Sequence, residues 1–419
     1  MLSQEDNTLI TQTGPGTPGG DLLRRYWQPV ALSEELPQGG APISLKVMGE
    51  ELTAFRDEQG RVGLLGLHCS HRSADLSYGR VEDGGLRCLY HGWLYDVSGQ
   101  CLEQPGEPLG SSFKDKIQHP AYPVQEKAGM VFAYMGPGEP PLLPNYSFLR
   151  GPDENSYVCK YLHNCNYLQG NEGNIDPAHL SYLHRLFEKP SSDPASTSKM
   201  VPAGTSMSSN ALFQQDVAPT IEADVTDYGI RIYSVREVEE QQHYVRITNF
   251  VLPNAFAIPF QGGWHVPIDD THHWKYQIMR REVPLNKGEF MDARAKLLTS
   301  DYSHIRNASN RYGQDREEMQ TRSFLGMGEA FQTHDNWASE SEGTIQDRTT
   351  EHLAYGDQAI IASRRMLLNA IRQVQEGEEP SNIVRKLADN AYEHLVTIQE
   401  VFPGSVDWHD VWKQRLATT

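Results

Sequence analysis

The chain has 419 residues, and its 37 Lys and Arg against 55 Asp and Glu give a net charge of −18. Such a surface repels nucleic acid and anionic membranes, so neither is expected as a partner. Hydrophobic residues make up 38% and charged residues 22%, as in ordinary globular proteins. No run reaches the eighteen or so apolar residues that a bilayer span needs, and the acidic start lacks the basic and apolar regions of a secretory signal. The chain therefore reads as cytoplasmic, and its length implies two domains.

In chain order, a Gly/Pro-rich opening leads to "DLLRRYW", a short helix with Asp21 near its start, where an acid suits the dipole. From about 43 to 133, short period-two and compact apolar runs are broken by Gly, Asp and Asn, which predicts a small all-β domain. The Pro/Gly-rich "GPGEPPLLPNYSFLRGPDEN" places the domain boundary near 150. Residues 1–150 and 151–419 are thus expected as two units. Beyond the boundary, 164–188 reads as helical and 205–282 as strand-rich. Two amphipathic helices then follow, in "DQAIIASRRMLLNAIRQVQEG" and "SNIVRKLADNAYEHLVTIQEVF". The fold class is α+β, with an antiparallel sheet flanked by helices in the larger domain.

Five cysteines in a long chain that reads as cytoplasmic argue for metal ligation or burial over a disulfide framework. Cys69-x-His71 and Cys88-x-x-His91, separated by sixteen residues, offer one thiolate and one imidazole from each of two loops. Structural zinc commonly takes Cys with Cys and His with His. One Cys and one His per loop suits a Rieske [2Fe–2S] cluster, with two thiolates on one iron and two imidazoles on the other. Cys101, Cys159 and Cys165 lack paired spacing and read as buried thiols. In the second domain, Asp176, His179 and His184 form D-x-x-H-x₄-H. A regular helix would place them within an arc of roughly 140°, and a bulge would bring the histidines closer.

"CSHR…RCLYHGW" and "EGNIDPAHLSYLH" resemble the motifs of the Rieske non-haem iron oxygenases, catalytic subunits that oxidise aromatic compounds with O₂. The resemblance runs nearly end to end and is to the phthalate-dioxygenase-like group. Ala74 and Tyr90 stand where the respiratory branch carries an extra disulfide pair. Glu172, four residues before Asp176, fits only the phthalate-like branch, since other members often have Asn there.

The resemblance implies a mononuclear Fe(II) held by His179, His184 and a downstream carboxylate. Asp335, five residues before Glu340, matches that carboxylate among Asp335, Glu340, Asp347 and Asp357. Asp347 beside Arg348 reads as an ion pair or loop brace, Asp357 as the N-cap of the next helix, and His334 as a surplus imidazole. Asp176 is implied as the hydrogen-bonded link between this iron site and His91 of the neighbouring subunit. Arg246, in "HYVRITNF", is a candidate anchor for a substrate carboxylate; the alternative is an ordinary surface arginine.

The chain lacks a ferredoxin cysteine set and a dinucleotide fingerprint, so it is not expected to take electrons from NAD(P)H unaided; the resemblance implies a separate flavin and iron–sulfur reductase. A homotrimer follows from the family. Two other readings are a Rieske electron carrier without catalysis and a zinc-stabilised binding protein. The long second domain argues against the first, and the mixed Cys–His loops argue against the second.

Overall fold

The computed structural model describes residues 1–187 and 201–418. Residue 188, the end of the expected helical stretch, lies outside the described residues.

Residues 28–133 form three small antiparallel sheets. One pairs Gln28–Leu32 and Val124–Lys127 with Met130–Ala133 between them. The second is the meander Ile43–Val47, Glu50–Arg56 and Val62–Gly66. The third runs Arg80–Glu82, Gly85–Arg87, Leu94–Tyr95 and Cys101–Glu103. Phe55, Leu65, Leu76, Leu86, Trp93 and Tyr95 are buried together with Cys69, Cys88 and Cys101. The sulfur atoms of the first motif thus sit in apolar packing.

The second unit is built on one eight-stranded antiparallel sheet. Its path runs Ser156–His163, His272–Arg280, Gln261–Asp269, Ala255–Ile258, Gln242–Val251, Gly229–Val238 and Thr220–Val225, with Ile398–Pro403 added alongside Gln242–Val251. The expected helix over "SNIVRKLADNAYEHLVTIQEVF" is not formed. Residues 381–397 are irregular apart from a 3₁₀ turn at Leu387–Asp389, and Ile398–Pro403 is a strand. A short apolar run fits either period, and the open edge of Gln242–Val251 takes it as a ladder partner.

Helix Gln358–Gln375 forms as expected. Ala359, Ser363, Leu367, Leu368, Ile371 and Val374 lie on its buried face, and Gly377 follows it at φ 81°, the left-handed position where glycine ends helices. This helix packs against two strands of the large sheet and against the N-terminal helices Gln4–Thr11 and Pro18–Arg24. Those helices begin at Ser3 and Thr17, whose hydroxyls accept N–H bonds from Asp6 and Gly20, a cap contributing about 1 kcal/mol each. The opening of the chain therefore lies on the second unit.

Helix Tyr167–Ile175 carries the second motif. Asn166 caps it, accepting from Leu168 N–H and donating to Thr11 and Asp270 carbonyls. Gly170 lets the helix press onto the sheet: a Cβ there would lie 2.5 Å from His265 Nδ1 and 2.6 Å from His273 Nε2. The helix ends at Ile175, not beyond His184. Asp176 precedes Pro177, which disfavours the α region, and Asp176 is extended, at φ −86° and ψ 112°. The expected helical arc over Asp176, His179 and His184 is thus replaced by a break and a 3₁₀ turn at His179–Ser181.

Candidate metal centres

The two Cys–His loops leave strands Val62–Gly66 and Gly85–Arg87 and fold over each other. Each closes as a tight turn on its cysteine: Ser73 N–H donates to Cys69 O at 2.8 Å and Gly92 N–H to Cys88 O at 3.0 Å. Ser73 and Gly92 both take positive φ, 57° and 74°, the region that glycine enters without strain. Cys69 and Cys88 are buried, while His71 is exposed and His91 half-buried. The His71 and His91 rings lie 4.3 Å apart, and Trp93 stacks on His71 at 4.5 Å. Burial pushes the Cys88 thiol up, against the pull of the Tyr90 and His91 N–H groups beside it. The Tyr95 hydroxyl lies 3.2 Å from Cys69 Sγ. Two adjacent sulfurs inside, provided with N–H and O–H donors, and two imidazoles outside fit a cluster with distinct thiolate and imidazole ends.

At the break after helix Tyr167–Ile175, the structure gathers His179, His184 and Asp335, with one ligand-type atom from each within 4.8 Å of the others. Asp335 comes from helix Phe331–Ser341, which packs on helix Tyr167–Ile175. His184 Nε2 lies 3.1 Å from Asp335 Oδ1. On its other side, His184 Nδ1 is 3.1 Å from His334 Nδ1, and His334 Nε2 is 3.0 Å from the Gly328 carbonyl. That carbonyl only accepts, so His334 carries its proton on Nε2 and His184 donates from Nδ1. Burial and the adjacent His184 push His334 down to about 3, which keeps it neutral. His184 Nε2 is left with a lone pair facing a carboxylate oxygen. Two acceptors at that separation call for a cation between them, which is the fit test for a metal here.

Asp335 resists burial: His184 and Lys275, whose Nζ is 3.6 Å from Oδ2, hold its carboxyl well below the usual carboxylate range. Asp176 Oδ1 accepts the Ala178 N–H at 2.7 Å, and its Oδ2 lies 3.5 Å from His179 Nδ1.

Residues 26–114 match the family described as the Rieske [2Fe-2S] domain, and residues 133–417 match the LigXa C-terminal domain like family. The chain is 35% identical to the phthalate 4,5-dioxygenase oxygenase subunit of Pseudomonas putida, over 98% of this chain and 94% of that one. It is 32% identical to the 5,5'-dehydrodivanillate O-demethylase oxygenase subunit of a Sphingobium species, over 95% and 87%. The chain belongs to the phthalate-dioxygenase-like group of Rieske non-haem iron oxygenases. Among solved structures, the terminal oxygenase of carbazole 1,9a-dioxygenase from Nocardioides aromaticivorans IC177 shares the fold, with a TM-score of 0.57 and 20% identity over 88% and 97% of the two chains. The protein is thus a terminal oxygenase component whose cofactors are a Rieske [2Fe–2S] cluster and a mononuclear iron. The match across residues 133–417 leaves no place for the reading as a bare electron carrier.

The other expected residues of this oxygenase fall as follows. Arg246 lines the cavity beside His179, His184 and Asp335, with Phe213, Ile258, Phe331 and four glutamines. Glu340 is a brace, accepting from Asn164 and from Tyr312 OH. Asp347 accepts from Thr349 N–H and hydroxyl, so it is a loop brace. The ion pair expected between Asp347 and Arg348 is not made, because Arg348 pairs with the buried Glu172 at 2.9 Å. Asp357 stands at the N-cap of helix Gln358–Gln375 but spends its side chain on the Ala354 N–H. His334, set aside as surplus, is the residue that orients His184.

Of three further supporting residues, two carry no sequence signal and the third a weak one. His119 bridges Ser70 Oγ at 2.7 Å and Gly66 O at 2.8 Å beneath the Cys69 loop. Arg364 joins Arg348 on Glu172, with its Nε at 2.5 Å. Lys275 lies on a strand face shared with His273 and Gln277. Only the period-two polarity of "HHWKYQIMR" hinted at it, and that pattern equally describes a solvent-facing strand.

Proposed function

We propose that this subunit oxidises an aromatic carboxylate, and the observation that carries the reading is the state of Arg246. Its Nε is buried without a hydrogen-bond partner, and burial depresses its basicity. Among the described residues no carboxylate pairs with it. An unpaired guanidinium facing a cavity is costly unless a ligand supplies the anion. A carboxylate there accepts two charge-assisted bonds, and Phe213, Ile258 and Phe331 supply flat apolar walls for a ring.

In this reading Cys69, His71, Cys88 and His91 hold the cluster, and His179, His184 and Asp335 hold the catalytic iron. The cluster supplies electrons singly, and the iron binds and activates O₂. His334 fixes the tautomer of His184. Asp176 steadies the His179 ring and keeps a half-exposed side for His91 of the partner subunit. The subunit then works as a homotrimer in the cytoplasm, fed by a separate flavin and iron–sulfur reductase, with its two units meeting near residue 150. Exposed Tyr78, Leu89 and Tyr90 around the cluster loops support a partner face there. Five free, buried cysteines suit a reducing compartment. Among the described residues no helix is long and apolar enough to cross a membrane.

The test is product analysis on a panel of aromatic acids, their amides and neutral aryl ethers, with O₂ and a surrogate reductase. Acids are expected to turn over and amides to fail. Arg246→Leu should raise KM for the acid by about tenfold or more, since a lost charged hydrogen bond costs roughly 1.5–3 kcal/mol, with both metal centres intact. Equal turnover of acid and amide, or an unchanged KM, would return Arg246 to a structural role.

A further inference from the structure

Lys275 is nearly fully buried, yet the sheet gives it little company of opposite charge. Its cross-strand neighbours are His265 on one side and Tyr161 on the other. His163, His273 and His304 complete a buried imidazole cluster around it, and burial together with the lysine's own charge keeps these rings neutral. Its one ion pair among the described residues is to Asp335, at 3.6 Å from Oδ2. The other oxygen, Oδ1, faces His184 Nε2 at 3.1 Å. The two oxygens of one carboxylate are therefore assigned to different cations: Oδ1 to the place where His184 and His179 converge, Oδ2 to the lysine.

We infer that Lys275 is a positioning residue that reserves Asp335 Oδ2, so that the carboxylate presents only Oδ1 to the catalytic iron. The inference rests on the reading of His179, His184 and Asp335 as the iron ligands. A carboxylate can grip a metal with one oxygen or two, and a metal held here through one oxygen would keep one more position for other ligands. A buried ammonium holds an anion strongly, and Asp335 is the one carboxylate that Lys275 pairs with among the described residues. It also lines the wall between two cavities, one bounded by Arg246 and Phe331 and the other by Glu172 and His163. Its aliphatic stem and the Phe256 ring beneath it, 5.6 Å from Nζ, leave the head little freedom to move elsewhere. Substrate recognition falls to Arg246, which has no carboxylate of its own; Lys275 already has one.

The test uses the full chain with its Rieske cluster in place, the mononuclear site emptied by a chelator and refilled with Co(II). The cobalt visible bands weaken as coordination number rises, and they report on the site without turnover. Lys275→Met is expected to weaken those bands, as Oδ2 joins the metal, and to tighten Co(II) binding by at least about tenfold, because a cation next to a divalent ion is gone. Structural damage would loosen Co(II) binding, the opposite sign. Lys275→Arg should restore both the bands and the affinity. Should the methionine variant fail to fold, judged by its Rieske absorption, Lys275→Gln serves. Its amide is too short to reach Oδ2, which lies 3.6 Å from the lysine Nζ, so it should repeat both changes. Unchanged bands and affinity in Lys275→Met, or weaker binding in either variant, would overturn the inference. A changed KM for the acid with unchanged bands would also overturn it, making Lys275 a substrate cation. Parent protein that takes up no Co(II) at all would instead strike the iron-ligand reading itself.

Discussion

The two candidate centres are supported in opposite ways. The Cys–His loops are held chiefly by their own backbone, through turns closed at Cys69 and Cys88, and their histidines stand at the surface. The His179–His184–Asp335 centre is held by side chains from distant parts of the chain. His334 orients His184, Lys275 takes the second oxygen of Asp335, and Glu172 ties the supporting helix to Arg348 and Arg364. The difference follows from the task. A cluster that exchanges electrons with another protein must lie near the surface, and local turns suffice to shape it. A site that handles O₂ must be walled from water, and burying its charges demands partners from all sides.

The sharpest way to break this comparison is to strip one centre and read the other. Asp335→Ala is expected to lose the mononuclear iron and turnover altogether, with the Rieske absorption and cluster iron unchanged. Asp176→Asn should keep both metals and a reducible cluster while turnover nearly vanishes. Metal analysis with single-turnover kinetics separates the two variants, and retained iron and activity in Asp335→Ala would remove it from the ligand set.

A smaller effect is expected at the mooring. Glu172→Gln leaves Arg348 buried against a neutral group, while Arg364 keeps Glu351, and breaking a buried ion pair costs roughly 3–5 kcal/mol. Thermal unfolding should show the loss, and the Rieske potential should not move. A shifted potential would mean that the two centres share their support after all.

The mildest effect is expected for His334→Leu. Removing the partner of a ligating imidazole typically lowers metal affinity 10–100-fold. Iron titration of the emptied protein should show that drop, with the cluster unaffected. Undiminished affinity would mean that the packing of Phe331, whose ring lies 3.8 Å from that of His184, is enough to orient it.

The same contrast explains what the sequence disclosed. The four Rieske residues fall within one short stretch, so their spacing carries the chemistry. The second centre joins positions 179 and 184 to 335, and no local pattern links them; Asp335 was reached only through a family resemblance. His334 sits beside Asp335, but its use depends on a helix meeting a loop that lies far away in the chain. Lys275 and Gln277 alternate as in a solvent-facing strand, and only the assembled sheet shows that their face is inward. The helix expected over 176–184 is broken at Asp176-Pro177, a breaker that is plain in the sequence. The reading of 381–402 failed because a sheet edge elsewhere decided the matter.

The first eleven residues form part of the seat of the active-site helix: Tyr167 OH donates to Ile10 O, Asn166 to Thr11 O, and Asn7 Nδ2 to Gln346 O. The helix against which they pack, Gln358–Gln375, lies far downstream in the chain. During synthesis this segment is therefore made long before the helix on which it finds its place. The Rieske sheets, whose contacts are mostly local, have no such wait. Cluster assembly on the nascent chain can thus precede closure of the iron site, and an iron–sulfur donor would meet a folded first unit while the second is still incomplete.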